Sequence, residues 1–277
     1  MSGSAEFFEF AKERYRIFLR KERGDPGLLT LDPILRRHRF CNVFREDDKV
    51  SRWFAENIRS KVARKSQLHV LEAVAGFRWF NRIETGELIK SILVKEGWNS
   101  EAITKVLDGV SPICTGAYMI RSPRSMKKLP GICHAMNGLV ERKIKVKGMT
   151  LQEAHAKIMD VPYLGFFTAY EIVTDLRHTP LLSQATDINT WAAAGPGAAR
   201  GLGWIHFGEP KGFAYQGASG QSKMLPLMRE LLDMSDDPSY WPHEWPEWEM
   251  REVEHTLCEY DKWKRGSGGQ RLKRNYP

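Results

Sequence analysis

The chain has 277 residues, 42% of them hydrophobic, enough to bury a sizeable core in one large domain or two lobes. A formal net charge of +8 favours a polyanionic partner, nucleic acid above all, although many basic proteins bind nothing acidic. No stretch approaches the roughly 20 apolar residues of a membrane span. The first residues lack a signal peptide's charged start and apolar middle, so a cytoplasmic protein is expected. The four cysteines, Cys41, Cys114, Cys133 and Cys258, include no C-x-x-C pair, which argues against zinc knuckles, dithiol redox motifs and iron–sulfur clusters.

Apolar residues recur with helical period along most of the chain, and strand-like alternation is rare and short, so the expected fold is all-α. Residues 5–22 form a first amphipathic helix, closed by the GDPG turn at 24–27. Asp32 and Pro33 read as the cap and first position of a second helix. Residues 41–64 read as one long helix. Phe40, Val43, Phe44, Val50, Trp53, Phe54 and Ile58 share one face, and Arg45, Asp48, Lys49, Arg52 and Arg59 the other. Further helices fit 67–80, 84–95, 99–108 and 128–144. Thr150 and Glu153 then form a capping box. Residues 166–177 and 197–205 are helical, 207–222 a glycine-rich loop, and 222–234 helical again. Residues 235–248 are an irregular Trp/Pro segment, and 247–264 the last helix. The expected organisation is a single two-lobed helical domain over 1–264 with a basic, flexible tail at 265–277.

Three segments carry chemistry. Arg36, Arg37 and Arg39 run into the 41–64 segment, where Arg45 and Arg52 follow. Such a density of guanidinium groups suits several phosphate oxygens, although a solvated charged face explains it equally. Asp48 among them can orient an arginine or accept a proton from a substrate amine. In VPYLGFFTAYEIVTDL, 161–176, a tight turn opens a helix at Gly165 and Thr168. The free N–H groups there favour a phosphate, and the missing side chain lets a backbone approach. In DINTWAAAGPGAARGLGW, 187–204, Asp187 precedes a second glycine turn with Gly195, Gly197 and Arg200. Asp187 reads either as a helix cap or as an acid beside a nucleic-acid backbone. The last helix brings Arg251, Glu254, His255, Cys258, Asp261 and Lys262 near one face. Cys258 and His255 are compatible with a nucleophile pair or with a plain buried thiol.

Pro162, Gly165, Thr168 and Ala169 resemble the hairpin of the helix-hairpin-helix DNA glycosylase superfamily, and Asp187, 22 positions after Gly165, falls where that superfamily carries its catalytic aspartate. Tyr163 stands in place of the first hairpin glycine. No lysine occupies 166–167, where strand-cleaving members carry their amine. A narrower resemblance covers nearly the whole chain. The segment YRIFLRKERGDPGLLTLDPILRRHRFCNVFREDDKV, with FRWFN at 77–81, TGAYMI at 115–120, GPGAARGL at 195–202 and EVEHTLCEYDKW at 252–263, is similar to a phage-associated family of thymine hypermodification. Its members are named α-glutamyl/putrescinyl-thymine pyrophosphorylases and described as amino acid:DNA transferases. A related helical module accompanies 5-hydroxymethyluracil DNA kinases. Asp47 departs from the hydrophobic residue usual at its position.

The resemblance implies transfer of an amino acid, glycine first, through its amine onto 5-pyrophosphoryloxymethyl-deoxyuridine in double-stranded DNA, with loss of pyrophosphate. The modified base would be rotated out of the duplex. Arg37, Arg39, Arg45 and Arg52 would neutralise the leaving group. Asp187, or else Asp48, would take the ammonium proton. Asn42, Asn81 and Tyr118 would contact the pyrimidine or the amino acid. Gly165, Thr168, Gly195, Gly197 and Arg200 would hold the DNA backbone. No cofactor is expected, and no dedicated metal cage is legible, although a divalent ion is compatible with a pyrophosphate. A glycosylase for a modified thymine and a non-catalytic module that recognises hypermodified DNA are the competing expectations.

Overall fold

The computed structural model describes residues 3–116 and 123–272. Every secondary-structure element among them is helical, and no helix there is long and apolar enough to cross a membrane. The chain divides into two compact units. The first combines Met1–Asp48 with Ile188–Pro277, and the second is the intervening Lys49–Asp187.

The first unit contains α1 (Gly3–Arg23), α2 (Pro33–Arg37), and, after the second unit, the helices that complete it. Asp32 caps α2, accepting from Ile34 N and Leu35 N at 2.8 Å each. Its core is aromatic. Phe7, Phe8 and Tyr15 on α1 meet Trp241, Trp245 and Trp248, so the Trp/Pro segment is a wall of the core rather than a surface loop.

The second unit contains α3 (Lys49–Phe54), a π-helical stretch (Ala55–Arg59), α4 (Ser60–Val62), α5 (Gln67–Phe80), α6 (Ile83–Glu96), α7 (Ser100–Leu107), α8 (Lys128–Glu141), α9 (Leu151–Met159) and α10 (Phe166–Leu176). Helix α5 is its axis. Every residue from Val70 to Phe80 except Glu72 is buried, as expected of a helix surrounded on all sides by α6, α8 and α10. One charge pair sits in that core. Arg78 Nε and Nη2 donate to the two oxygens of Asp175 at 2.5 and 2.7 Å, with the residues 2% and 1% exposed. Arg59 Nη1 lies 3.9 Å from the same carboxylate.

The three remaining helices, α11 (Pro196–Phe207), α12 (Gly217–Met234, with Pro226 inside) and α13 (Met250–Ser267), return to the first unit. Helix α11 lies unusually close to α13. A Cβ on Gly197 would meet Cys258 Sγ at 2.7 Å, and one on Gly201 would meet the Leu257 carbonyl at 2.5 Å. Glycine permits this approach.

Two expectations need correction. Residues 41–64 are not one helix. Arg45–Asp47 form a 3-10 turn and Asp48 is extended, at φ −71° and ψ 134°. Asn42 N donates to Asp48 Oδ1 at 3.1 Å, and Asn42 Nδ2 to the Asp47 carbonyl at 3.0 Å. These local side-chain bonds compete with the helical ladder and stop it. Further along, Asn57 Nδ2 takes the Trp53 carbonyl at 2.8 Å and Ser60 Oγ the Glu56 carbonyl at 3.1 Å, where the helix widens to π. The charged residues accordingly do not form a solvated face, because Arg45 and Arg59 are buried. Residues 265–272, expected to belong to a flexible tail, are also packed. Helix α13 runs to Ser267, Gly266 packs on Ile34 and Leu272, and Leu272 is buried.

Candidate functional site

Within the first unit, residues 39–48 lie across one face of α13 and are stapled there by both flanking helices. From α13, Glu259 accepts from Cys41 N at 3.0 Å, Lys262 Nζ donates to the Arg39 carbonyl, and His255 bonds the Asn42 backbone. These α13 residues recur at helical spacing, so they share a face. From α1, Arg14 Nη2 donates to the carbonyls of Phe40 and Cys41 at 3.2 and 3.0 Å. Arg14 is only 3% exposed, and its Nε and Nη1 are buried without a hydrogen-bond partner. Lys262 Nζ also sits 4.3 Å from the Phe40 ring centroid.

This packing crowds titratable groups together. The Asp48 carboxyl is raised by burial, against the opposing pull of the Asn42 N–H, Arg45 and Arg251; Glu259 raises it further. His255 is pushed down to about 4, first by burial and then by Arg251, so its imidazole is neutral at physiological pH. Cys41 is exposed as a whole residue. Even so, protein packed around its sulfur, with the Glu259 and Asp48 carboxylates, pushes the thiol well above its ordinary value. Donor atoms of Cys41, Asp48 and His255 all lie within 4.8 Å of one another. Arg45 and Arg251, 6% and 8% exposed, supply buried positive charge beside them. On the adjoining turn of α13, Cys258 Sγ donates to Glu254 Oε1 at 3.4 Å, and burial raises this thiol too. Neither thiol has the lowered pKa of an activated nucleophile.

The structure brings Asn42, Arg45 and Asp48 into this cluster. Arg37 and Arg39 are exposed in the same unit, at the end of α2 and just beyond it. Arg52 lies in α3 of the second unit. Asn81 ends α5 in the left-handed region at φ 47°, its Oδ1 accepting from Arg78 Nη1 at 2.5 Å. Tyr118 lies outside the described residues. Gly165 opens α10 with no side-chain cap, and Thr168 follows in the first turn. Tyr163 adopts φ 70°, the left-handed conformation a hairpin glycine would take. Gly195 opens α11, its N–H directed at Glu254 Oε1 at 3.3 Å, while Gly197 faces Cys258. Arg200 is paired with the fully buried Asp261, Nε to Oδ2 at 2.9 Å.

Asp187 has a defined local task. Its two oxygens accept from Leu151 N at 2.7 Å and Gln152 N at 3.0 Å, at the first turn of α9. Thr150 Oγ1 accepts from Glu153 N, and Glu153 accepts from Thr150 N. Every donor that a helix start leaves open is thus filled by protein.

Sequence reasoning missed Arg14 and Glu259. Arg14 had a signal, since it falls in register with Phe7, Phe10 and Ile17 on the buried stripe of α1, where an isolated charge needs a partner. Glu259 had none, because its partner Cys41 N is 218 residues away.

Comparison with known proteins adds the following. The family described as "5-hmdU DNA kinase, helical domain" matches residues 3–271 of the chain. The 5-hmdU DNA kinase of Bacillus phage SP10 is 22% identical over 222 residues, covering 70% of this chain and 34% of that protein. The chain therefore spans about a third of the length of the curated relative it matches. No solved structure matches the chain.

Proposed function

Because the chain belongs to the family of 5-hmdU DNA kinase helical domains, we propose that it acts on 5-hydroxymethyluracil-derived bases in phage DNA. The proposed reaction transfers the amine of an amino acid, glycine first, onto 5-pyrophosphoryloxymethyl-deoxyuridine. The C–O bond to the pyrophosphate breaks, a C–N bond forms, and pyrophosphate leaves. The observation that carries this reading is the set of buried guanidinium groups, Arg14, Arg45 and Arg251, gathered around residues 41–48. Guanidinium groups pair bidentately with phosphate oxygens, and a departing pyrophosphate offers several of them, although Arg251 already donates to Glu252 at 3.0 Å.

In this reading Arg45 is the first leaving-group contact, with Arg37, Arg39 and Arg52 as outer phosphate contacts. Asn42 meets the pyrimidine edge or the amino acid, and Asn81 and Tyr118 keep that proposed role. The uncapped start of α10 at Gly165 and Thr168 receives a backbone phosphate. That assignment follows the resemblance to helix-hairpin-helix glycosylases, with base rotation as its corollary. Gly195, Gly197 and Arg200 are the weaker DNA contacts, given their engagement with α13. Asp187 and Asp48 are the two carboxylates proposed to take the ammonium proton, because only the neutral amine attacks.

The test is mass spectrometry of nucleosides after incubation with DNA carrying the pyrophosphorylated base and mixed amino acids. An amino-acid-linked base with release of pyrophosphate supports the transferase. Abasic sites would replace it with a glycosylase. Unchanged nucleosides with retained binding would leave a recognition module. Arg45→Ala should weaken engagement of pyrophosphorylated DNA more than of plain DNA. Equal losses would reduce Arg45 to a backbone contact.

A further inference from the structure

We propose that Cys41, Asp48 and His255 form a binding site for a divalent transition metal of the zinc class. The donor set is mixed thiolate, carboxylate and imidazole, which suits a borderline-soft ion and is poorly matched to magnesium or calcium. The ligand atoms already lie within 4.8 Å of one another. Neighbouring donors around a tetrahedral zinc sit ~3.5 Å apart, from metal–ligand distances of about 2.0–2.3 Å. Closing the set therefore takes side-chain shifts of ~1 Å at most.

The histidine supplies an independent observation. His255 Nε2 is buried and has no hydrogen-bond partner, whereas the ring does bond the Asn42 backbone. Nε2 therefore faces no protein donor. This is the arrangement by which an outer hydrogen bond fixes the tautomer of a metal-binding histidine. A buried imidazole nitrogen with nothing to bond is otherwise costly. Asp48 is held in the same way, by Asn42 N at 3.1 Å, so one residue orients two of the three ligands.

Three protein ligands leave one position open. That is the pattern of sites in which the metal meets water or an anionic oxygen, as opposed to closed structural sites with four protein ligands. Binding replaces the Cys41 thiol proton, which is released to solvent. Metal in minus one proton out adds one unit of positive charge beside Arg45 and Arg251. Metal binding itself does not rest on the transferase reading. It assigns Asp48 to the metal and leaves proton acceptance in that reading to Asp187.

The experiment titrates the metal-stripped full chain with cobalt(II), then zinc(II), in the absence of DNA. One equivalent of cobalt should produce sulfur-to-metal charge-transfer absorption in the near ultraviolet, zinc should displace it, and binding should release about one proton. Cys41→Ser should abolish the absorption and weaken zinc binding by on the order of 100-fold or more, the upper end of what losing even an outer-shell partner costs. Cys258→Ser, which removes the neighbouring thiol, should change neither. His255→Gln should weaken binding while keeping the sulfur absorption at high cobalt. If that variant fails to fold, the two serine variants still decide. Absence of the absorption, its persistence in Cys41→Ser, or its loss in Cys258→Ser would each overturn the proposal. Failure of the nucleoside assay would leave these outcomes untouched.

Discussion

Replacing Asp187 with alanine removes the last two acceptors from the first turn of α9 and leaves the capping box between Thr150 and Glu153 in place. The two orphaned donors differ. Gln152 is exposed, so water takes over its N–H. Leu151 is 8% exposed, and its N–H loses a charged acceptor at 2.7 Å. Loss of a hydrogen bond to a charged group costs about 1.5–3 kcal/mol. The carboxylate's interaction with the helix dipole adds ~0.3–1 kcal/mol. The sum, ~2–4 kcal/mol, exceeds the ~1 kcal/mol of an ordinary cap residue. Even its lower end corresponds to roughly a 30-fold increase in local opening. Amide hydrogen exchange followed by mass spectrometry on peptides covering 151–159 reads this directly. Asp187→Ala should accelerate exchange there by at least about tenfold, with Asp187→Asn, which keeps one carbonyl oxygen, in between. Unchanged exchange in Asp187→Ala would refute the capping argument. If Asp187→Asn abolishes turnover while exchange barely moves, the carboxylate has a chemical task beyond its structural one.

Other perturbations test other parts of the molecule. Gly201→Ala places a Cβ 2.5 Å from the Leu257 carbonyl, and backbone cannot yield as a side chain can. An overpacking cost of about 1–3 kcal/mol should outweigh the ~1 kcal/mol gained in helix propensity and lower the urea midpoint. Gly138→Ala on α8, where nothing lies within 4 Å, should raise it, and the same sign at both sites would undo the close-approach argument. Arg78→Met removes both short bonds to Asp175, which is 1% exposed, leaves Arg59 at 3.9 Å, and should cost about 3 kcal/mol; Arg78→Met/Asp175→Leu, which also takes that carboxylate from Arg59, should recover part of it. A double variant no better than the single one would show that the weakened pairing of the Asp175 carboxylate is not the cause. His155, whose Nε2 bonds the Phe166 carbonyl at 2.9 Å, has its pKa lowered by burial below the ordinary 6.5. Its contribution is therefore complete above pH ~6.5 and is lost as pH falls below it, because the unfolded chain takes up the proton first. The stability difference between the native chain and His155→Gln should shrink over that fall, and a constant difference would contradict the assignment.

Much of the architecture was legible in the amino-acid order, because helices are set by local rules. Periodicity placed α5 at 67–80, and the Thr150–Glu153 box marked the start of α9, since a cap and its helix are neighbours in the chain. The same reasoning failed at 41–64, where apolar spacing persists but Asn42 and Asp48 bind the backbone themselves and end the helix. The sequence by itself therefore determined an all-helical protein, its basic charge and the family resemblance that points toward DNA. Only the tertiary structure decided what the charged residues face. It buried Arg45, turned Arg59 toward Asp175, fastened Asp187 to the start of α9, and set Cys41 and Asp48 against His255. Those partners are separated by up to 214 positions along the chain. Side-chain spacing within a helix reports which residues share a face, but it carries no information about which distant segment covers that face.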